Sequence, residues 1–243
     1  MICAMGNNPI DTTYNFRLNT PEKLDPDKWS ATLCEYHRLL WSKILPDGNR
    51  FDLVPSAAPF YLNHREFCLS SDTVVPTFRK QKSRSRALAQ ISDDMMSFGG
   101  LGYTIGGMMV FPAKRIGRKI TINGARGFHP RIKDRFDLTV ECIRRHYRKE
   151  DSPLGKVLAR YAAFFDLFEN FQGYVEFFLL QDLVDGDFAG VKFFLPFDNF
   201  KSSPVPDSAA SYFKYRENAM DFLKARNRRI QEWANANLEK ATL

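Results

Sequence analysis

Apolar positions fall in short continuous or alternating runs through much of the first half of this chain and at steps of three or four through the second, so the two halves predict different elements. Residues 1–20 show little periodicity and read as an extended arm, with Tyr14, Asn15, Phe16 and Arg17 as a short strand. Pro26 and Asp27 open a helix whose stripe is Leu33, Tyr36, Leu40 and Ile44, and Pro46-Asp47-Gly48 closes it with turn chemistry. Residues 51–54 predict a strand, and Tyr61-Leu62 with Phe67-Cys68-Leu69 predict another around the polar residues 63–66. Residues 87–98 read as a short helix carrying Leu88, Ile91, Met95 and Phe98, stopped by Gly99-Gly100. The strongest sheet signal is residues 103–111, apolar and ended by Pro112, and residues 119–122 alternate across a turn at Gly117, which predicts a hairpin.

In the second half, residues 134–148 place Phe136, Val140, Ile143 and Tyr147 on one helical face, and residues 154–168 continue with Val157, Leu158, Tyr161, Phe164, Phe165 and Phe168. Residues 174–184 suit either a buried helix or a strand, and the length of the apolar segment favours helix. Residues 191–197 read as a strand. Pro206-Asp207-Ser208 begins a long helix with Tyr212, Tyr215, Ala219, Phe222, Ile230 and Trp233 in its stripe. The expected architecture is one α+β domain over residues 1–243, a small, mainly antiparallel sheet from the N-terminal half packed by helices from the C-terminal half.

Composition agrees with a folded chain: 44% of the 243 residues are hydrophobic and 26% charged, and 22 Phe and 9 Tyr supply bulky core material. The N-terminus lacks a basic segment followed by an apolar run, and no apolar run approaches the roughly 20 residues that cross a bilayer, so a cytoplasmic protein without membrane contact is expected. Cys3, Cys34, Cys68 and Cys142 form no Cys-x-x-Cys pair and are expected as reduced, mostly buried thiols. No two histidines have ligand spacing, so no metal is expected; no cofactor is expected either.

Charge changes the picture. Residues 113–149 carry twelve Lys/Arg against three Asp/Glu, a local net of +9 in a chain whose total is +7, and residues 150–207 hold ten acidic residues against four basic. Such segregation makes a field that attracts phosphate-rich partners. A second basic cluster, residues 79–86, is expected as a solvated loop. Within the first segment, Asn123 ends the expected strand, Gly124 and Gly127 allow a tight loop, and a helix begins near Asp134, which would aim backbone N–H groups at an anion. Arg126, Arg131 and Arg135 could grip a phosphate bidentately, or could equally pin the loop to Asp134 or Asp137. Glu141 and Arg145 read first as an ordinary helix pair.

Among four histidines, His129 lies in this loop and is the candidate for proton transfer. His64 is a weaker candidate, and His37 and His146 are expected to be packed or on the surface. Ser71, in a polar cluster spanning residues 70–73 that reads as a turn, and Thr104, before the glycine pair Gly106-Gly107, are the remaining candidate ligand contacts. Glycines weaken a strand unless a ligand or a helix packs closely against them.

The blocks at residues 103–107, 121–127 and 134–147, with Phe177-Phe178-Leu179-Leu180-Gln181-Asp182-Leu183 and residues 225–230, resemble a family of bacterial proteins known only as a domain of unknown function. The resemblance implies a bacterial cytosolic or mobile-element setting and supplies no catalytic residue. The residues themselves point to a phosphate-directed protein that binds RNA or a nucleotide through Asn123, Arg126, Arg131 and Arg135. If it turns over, metal-independent phosphodiester cleavage or transfer with His129 as acid or base fits best. On this reading Arg126→Ala loses the ligand and keeps the fold. The alternative is a non-enzymatic protein whose basic face docks an acidic partner or, through residues 150–207, a second copy of itself.

Overall fold

Two side-chain caps start the helical part of the fold. Asp25 accepts from the Asp27 amide to open α1 (Pro26–Trp29), and Ser30 accepts from the Leu33 amide to open α2 (Ala31–Trp41); each such bond is worth about 1 kcal/mol. The single helix expected from Pro26 is therefore two, divided by the extended backbone of Ser30. Leu33, Tyr36 and Leu40 are buried as their stripe predicts, whereas Ile44 lies past the helix end and is exposed. The computed structural model describes residues 9–56, 61–78, 86–89, 91 and 98–238. The start of the expected arm with Cys3, the cluster at residues 79–85 and Met95 lie outside the described residues.

Strands β1 (Val54–Pro55), β2 (Tyr61–His64), β3 (Phe67–Thr73) and β4 (Met108–Pro112) form one antiparallel sheet in that order. Only the end of the strand expected at 51–54 pairs. Residues 70–73, expected as a turn, lie inside β3, because Ser70 and Asp72 stand opposite Phe111 and Met109 of β4. The strand expected at 103–111 survives only as β4: Ile105–Gly107 makes a 3-10 turn, with the Gly107 backbone folded onto Gly102. The chain stays helical through α4 (Gly100–Gly102), after a short α3 (Arg86–Ala89), so Gly99-Gly100 is not a stop. Residues 14–17 are not a strand either. They pack by a turn, Phe16 is wholly buried, and its amide donates to the Tyr103 carbonyl at 3.0 Å.

No hairpin forms at Gly117. Thr121 caps a helix instead, its Oγ1 accepting from the Gly124 amide at 3.3 Å, and α5 (Ile122–Phe128) follows. Then come α6 (Phe136–Tyr147), α7 (Gly155–Ala159), α8 (Ala162–Asp166), α9 (Phe171–Phe177) and the 29-residue α10 (Ala209–Asn237). The helix expected over 154–168 breaks at Tyr161, whose ψ of 24° leaves the helical region. The one expected over 174–184 ends early because Leu179 takes φ 54°, and a 3-10 turn at Gln181–Leu183 follows. Residues 191–197 contribute only a bridge from Val191 to Val184. Phe193 and Phe197 stack at 4.0 Å, a fold-back that an extended strand, rising about 3.3 Å per residue, excludes.

The core is aromatic. Phe168 meets Tyr174, Phe177 and Phe178 at centroid separations of 5.4, 4.9 and 5.1 Å, contacts worth about 0.5–1.5 kcal/mol each beyond their burial. Helix α10, opened by a capping box between Ser208 and Ser211, buries Tyr212, Tyr215, Ala219, Phe222 and Ile230. It is stapled to the sheet by Arg226, whose Nη1 donates to the carbonyls of Gly106 and Met108, both at 2.9 Å, and whose Nη2 donates to that of Phe178 at 3.2 Å. No described helix is long and apolar enough to cross a membrane. Cys142 is buried, and Cys34 and Cys68 are half-buried, more open than expected; all three are free.

Candidate functional site

Successive side chains of a strand point to opposite faces, and in β3 this alternation sorts the polar cluster at residues 70–73 into two sets. Ser70 and Asp72 face α5. There Asn123 Nδ2 donates to Ser70 Oγ at 3.2 Å and Arg126 Nη1 pairs with Asp72 Oδ2, residues three apart on a helix meeting residues two apart on a strand. Ser71 and Thr73 face α1 and α2. Thr73 donates to Asp27 Oδ2 through its amide at 3.3 Å and its hydroxyl at 3.2 Å, and Ser71 Oγ lies 3.4 Å from Asp27 Oδ1.

Behind Ser71 runs a directed chain of hydrogen bonds. The indole of Trp41 can only donate, and it donates to His37 Nδ1 at 3.0 Å. Burial, with the Arg226 charge nearby, lowers the His37 pKa to about 3, so the imidazole is neutral and its hydrogen sits on Nε2. That nitrogen, 2.9 Å from Ser71 Oγ, donates to it, and the Ser71 hydroxyl passes its own hydrogen to Asp27. His37 is thus a donor to Ser71, the reverse of the polarity that would activate a serine nucleophile.

The chain ends at a cleft of about 650 Å³ between α1, the end of β3, Tyr103 and the turn after α5. Asp27 and Asp72 both line it, and Asp72 keeps 24% of its side chain exposed there. Burial, then the charges of Asp72 and Asp25, raise the Asp27 pKa to about 8. Burial also raises that of Asp72, to about 7, against the lowering effect of Arg126. Two such carboxyls sharing one cavity do not both ionise easily near neutrality. The Arg126 guanidinium, itself wholly buried and hydrogen-bonded through Nε to Thr139 Oγ1 at 3.1 Å, holds the negative charge on Asp72 and leaves the proton to Asp27. Arg17, Lys23 and Lys133 also line the cleft. Arg17 is spent on the carbonyls of Glu22 and Leu24, while neither lysine has an ion-pair partner among the described residues. Lys133 and Asp134 take consecutive left-handed conformations, φ 47° and 62°, in the cleft wall, an arrangement non-glycine residues adopt only under tertiary constraint.

The residues singled out in the sequence separate. Ser71 and Arg126 both lie behind the cleft but on opposite faces of β3, with Asn123 on the Arg126 side, bonded to Ser70. Asn123 does not end a strand; it sits in the first turn of α5, so the expected strand-loop-helix is a helix-turn-helix. Arg126 and Arg135 both serve internal carboxylates. Arg135 is buried on Asp137, with Nη1 donating to the Pro204 carbonyl at 3.3 Å, and Asp137 also accepts from the Phe194 amide at 2.9 Å. Thr104 is buried under α10, where Asn227 Nδ2 donates to its Oγ1 at 2.8 Å. His129 caps the end of α5, its Nδ1 accepting from the Arg131 amide at 3.2 Å, and both residues line a shallow outer depression with Arg145. Burial and the charges of Arg131 and Lys133 depress the His129 pKa. His64 is interior, 4.3 Å from the Phe51 ring. Glu141 accepts from Arg144 and Arg145, so much of the positive charge of residues 126–145 is answered inside the fold.

Nothing in the local sequence marks Asp27, His37, Lys23 or Lys133 as residues of the cleft. Asp27 reads in sequence as part of a helix start, which it also is, and only the juxtaposition of α1 with β3 gives it a second role. Among the described residues no group of three or more His, Cys, Asp or Glu could hold a metal ion.

A family model described only as a family of unknown function, DUF6994, matches residues 10–230, and the chain belongs to that family. No curated protein matches the chain, and no solved structure does.

Proposed function

We propose that this member of a family without assigned activity binds a small phosphorylated ligand of the nucleotide class in the cleft, and that Asp27 and Asp72 act on it as an acid–base pair. The observation that carries the reading is the end of the hydrogen-bond chain: an aspartic acid oriented by Ser71 and Thr73 in a cleft of about 650 Å³, next to a carboxylate whose charge Arg126 maintains. A carboxyl that keeps its proton near pH 7 can donate it to a leaving oxygen, and an ionised neighbour can receive one, the division of labour that general acid–base catalysis requires. Lys23 and Lys133 supply the charge for an anionic group at the mouth. The phosphate-directed character expected from the sequence is kept, with the contacts moved from Arg126 and Arg135, which face inward, to these lysines.

Calorimetric titration with AMP, ribose 5-phosphate and inorganic phosphate at pH 6.0 and 8.5 tests this. Binding should be tighter at pH 6.0, where Asp27 carries no charge. Lys133→Ala should weaken it about tenfold, the order of one charge-assisted contact, and Asp27→Asn should reduce the pH dependence, leaving the part due to Asp72, while keeping the affinity at pH 6.0. Absence of binding by all three probes, or affinities that neither substitution changes, would sink the proposal.

A further inference from the structure

We infer that the face built by residues 114–120 and α5 is a binding surface for single-stranded nucleic acid. It lies outside the cleft, and the inference does not depend on what the cleft binds. The segment is fastened at both ends to adjacent residues: the Tyr161 hydroxyl donates to the Lys114 carbonyl at 2.9 Å, and Arg160 Nη2 donates to the Ile120 carbonyl at 2.6 Å. Between these anchors the chain reverses through Gly117 and Arg118, both left-handed at φ 59° and 60°, with the Lys119 amide donating to the Ile116 carbonyl at 3.2 Å. A reversal fastened in this way presents its side chains from a fixed base.

The segment and α5 share one face. Ile120 lies on the helix, so close that a Cβ at Gly124 would stand 2.6 Å from its Cγ1. Phe128 follows Gly124 by four residues, one turn along the same side. Lys114, Arg115, Arg118 and Lys119 are exposed and have no ion-pair partner among the described residues, unlike Arg126, Arg135, Arg144 and Arg145 in the same basic stretch. Arg131, just past the end of α5, is likewise exposed and unpaired.

Phe128 decides which polyanion the face suits. The residue is 79% exposed, against 43% and 42% for Ile116 and Ile120. Anionic membranes attract basic loops too, but insertion needs several apolar side chains projecting together, and both isoleucines are more than half covered. One open aromatic plane among dispersed cations is instead the arrangement that stacks a base while its neighbours follow the phosphates.

Fluorescence anisotropy of the full chain with an end-labelled, mixed-sequence single-stranded 12-nucleotide RNA, between 50 and 200 mM KCl, tests the inference; Arg115, Arg118 and Phe128 are all exposed. With four phosphates engaged, the logarithm of affinity should fall against that of salt with a slope of about −3. Phe128→Ala should weaken binding by at least about fivefold and leave the slope unchanged. Combined Arg115→Gln and Arg118→Gln should reduce the slope by about 1.4, and Lys133→Ala, in the cleft, should change neither quantity. The inference is overturned if no binding appears at 50 mM, if the Phe128 and arginine variants bind like the parent, or if phosphatidylserine vesicles bind through Phe128 while RNA does not.

Discussion

Trp41 Nε1 donates to His37 Nδ1 across 3.0 Å in the interior, and this contact sets the direction of the hydrogen bonds that run from His37 through Ser71 to Asp27. With Nδ1 engaged as an acceptor, Nε2 must donate, Ser71 must accept, and the Ser71 hydrogen is left for Asp27. The four side chains come from two helices and a strand, so the polarity of the site is a property of how α1 and α2 dock on β3.

Ser71→Ala should therefore be felt as a stability change. It leaves the His37 N–H without its acceptor in a wholly enclosed position, and an unsatisfied buried donor costs about 1–3 kcal/mol. Urea denaturation should show a lower midpoint with an unchanged slope. An unchanged midpoint would show that this hydrogen bond contributes no net stability.

The two raised carboxyl pKa values make stability fall as pH rises. A group that binds its proton more tightly in the folded chain stabilises it below its unfolded pKa, and that contribution is lost as pH passes through the folded value. For Asp27 the window runs from about 3.8 to about 8, and for Asp72 from about 3.8 to about 7. His37 has the opposite sign, its contribution being present above 6.5 and lost as pH falls toward 3. Asp27→Asn, which keeps the shape and cannot ionise, should raise Tm relative to the parent more at pH 8 than at pH 5. Equal differences at the two pH values would contradict the shift.

Arg126→Ala should fail differently from the sequence-based expectation of a folded variant without ligand. Removing one partner of a buried ion pair leaves an uncompensated charge and costs about 3–5 kcal/mol, so partial or complete unfolding by circular dichroism is expected. Adding Asp72→Asn removes the stranded carboxylate and should recover part of the loss. A double variant no more stable than the single one would argue that Asp72 is neutral in the folded chain.

Gly106→Ala tests the seat of α10. The new Cβ would stand 2.5 Å from Asn227 Oδ1 and 3.0 Å from the Leu223 carbonyl, and the latter belongs to a helix backbone that cannot rotate away. Overpacking of this kind costs about 1–3 kcal/mol. The same Asn227 oxygen accepts from the Gly106 amide at 2.8 Å, so any displacement also weakens that bond. Thermal denaturation should show the drop; a parent-like Tm would mean that the helix shifts freely.

What the sequence disclosed and what it hid divide along one physical line. The stripe from Tyr212 to Ile230 and the Leu33, Tyr36, Leu40 face were legible because burying one side of a helix imposes a period on the chain. The α+β architecture followed from the same signal. Residues 103–107 and 119–123 misled because apolar and β-branched residues satisfy a buried turn or a capped helix as well as a strand; Thr121 acting as a cap decided the second case. Site chemistry was least visible. Arg126 was a sound candidate for charge, but its partner Asp72 is 54 positions away, and no local spacing separates an arginine that awaits a ligand from one already answered. Ser71 stands out in the sequence only as part of a polar cluster, and its role depends on His37 and Asp27, which other elements bring to it.

Arg226 carries a further implication. Its guanidinium is shared among carbonyls from the turn before β4, from β4 itself and from the end of α9, and no carboxylate is among its partners. A local opening of the middle of α10 would strand those carbonyls together with a cation in an aromatic interior. That part of the helix consequently has no inexpensive way to detach, and its amides should exchange with deuterium only when the whole chain unfolds, while the last turns beyond Ala234, held by no such junction, exchange by fraying.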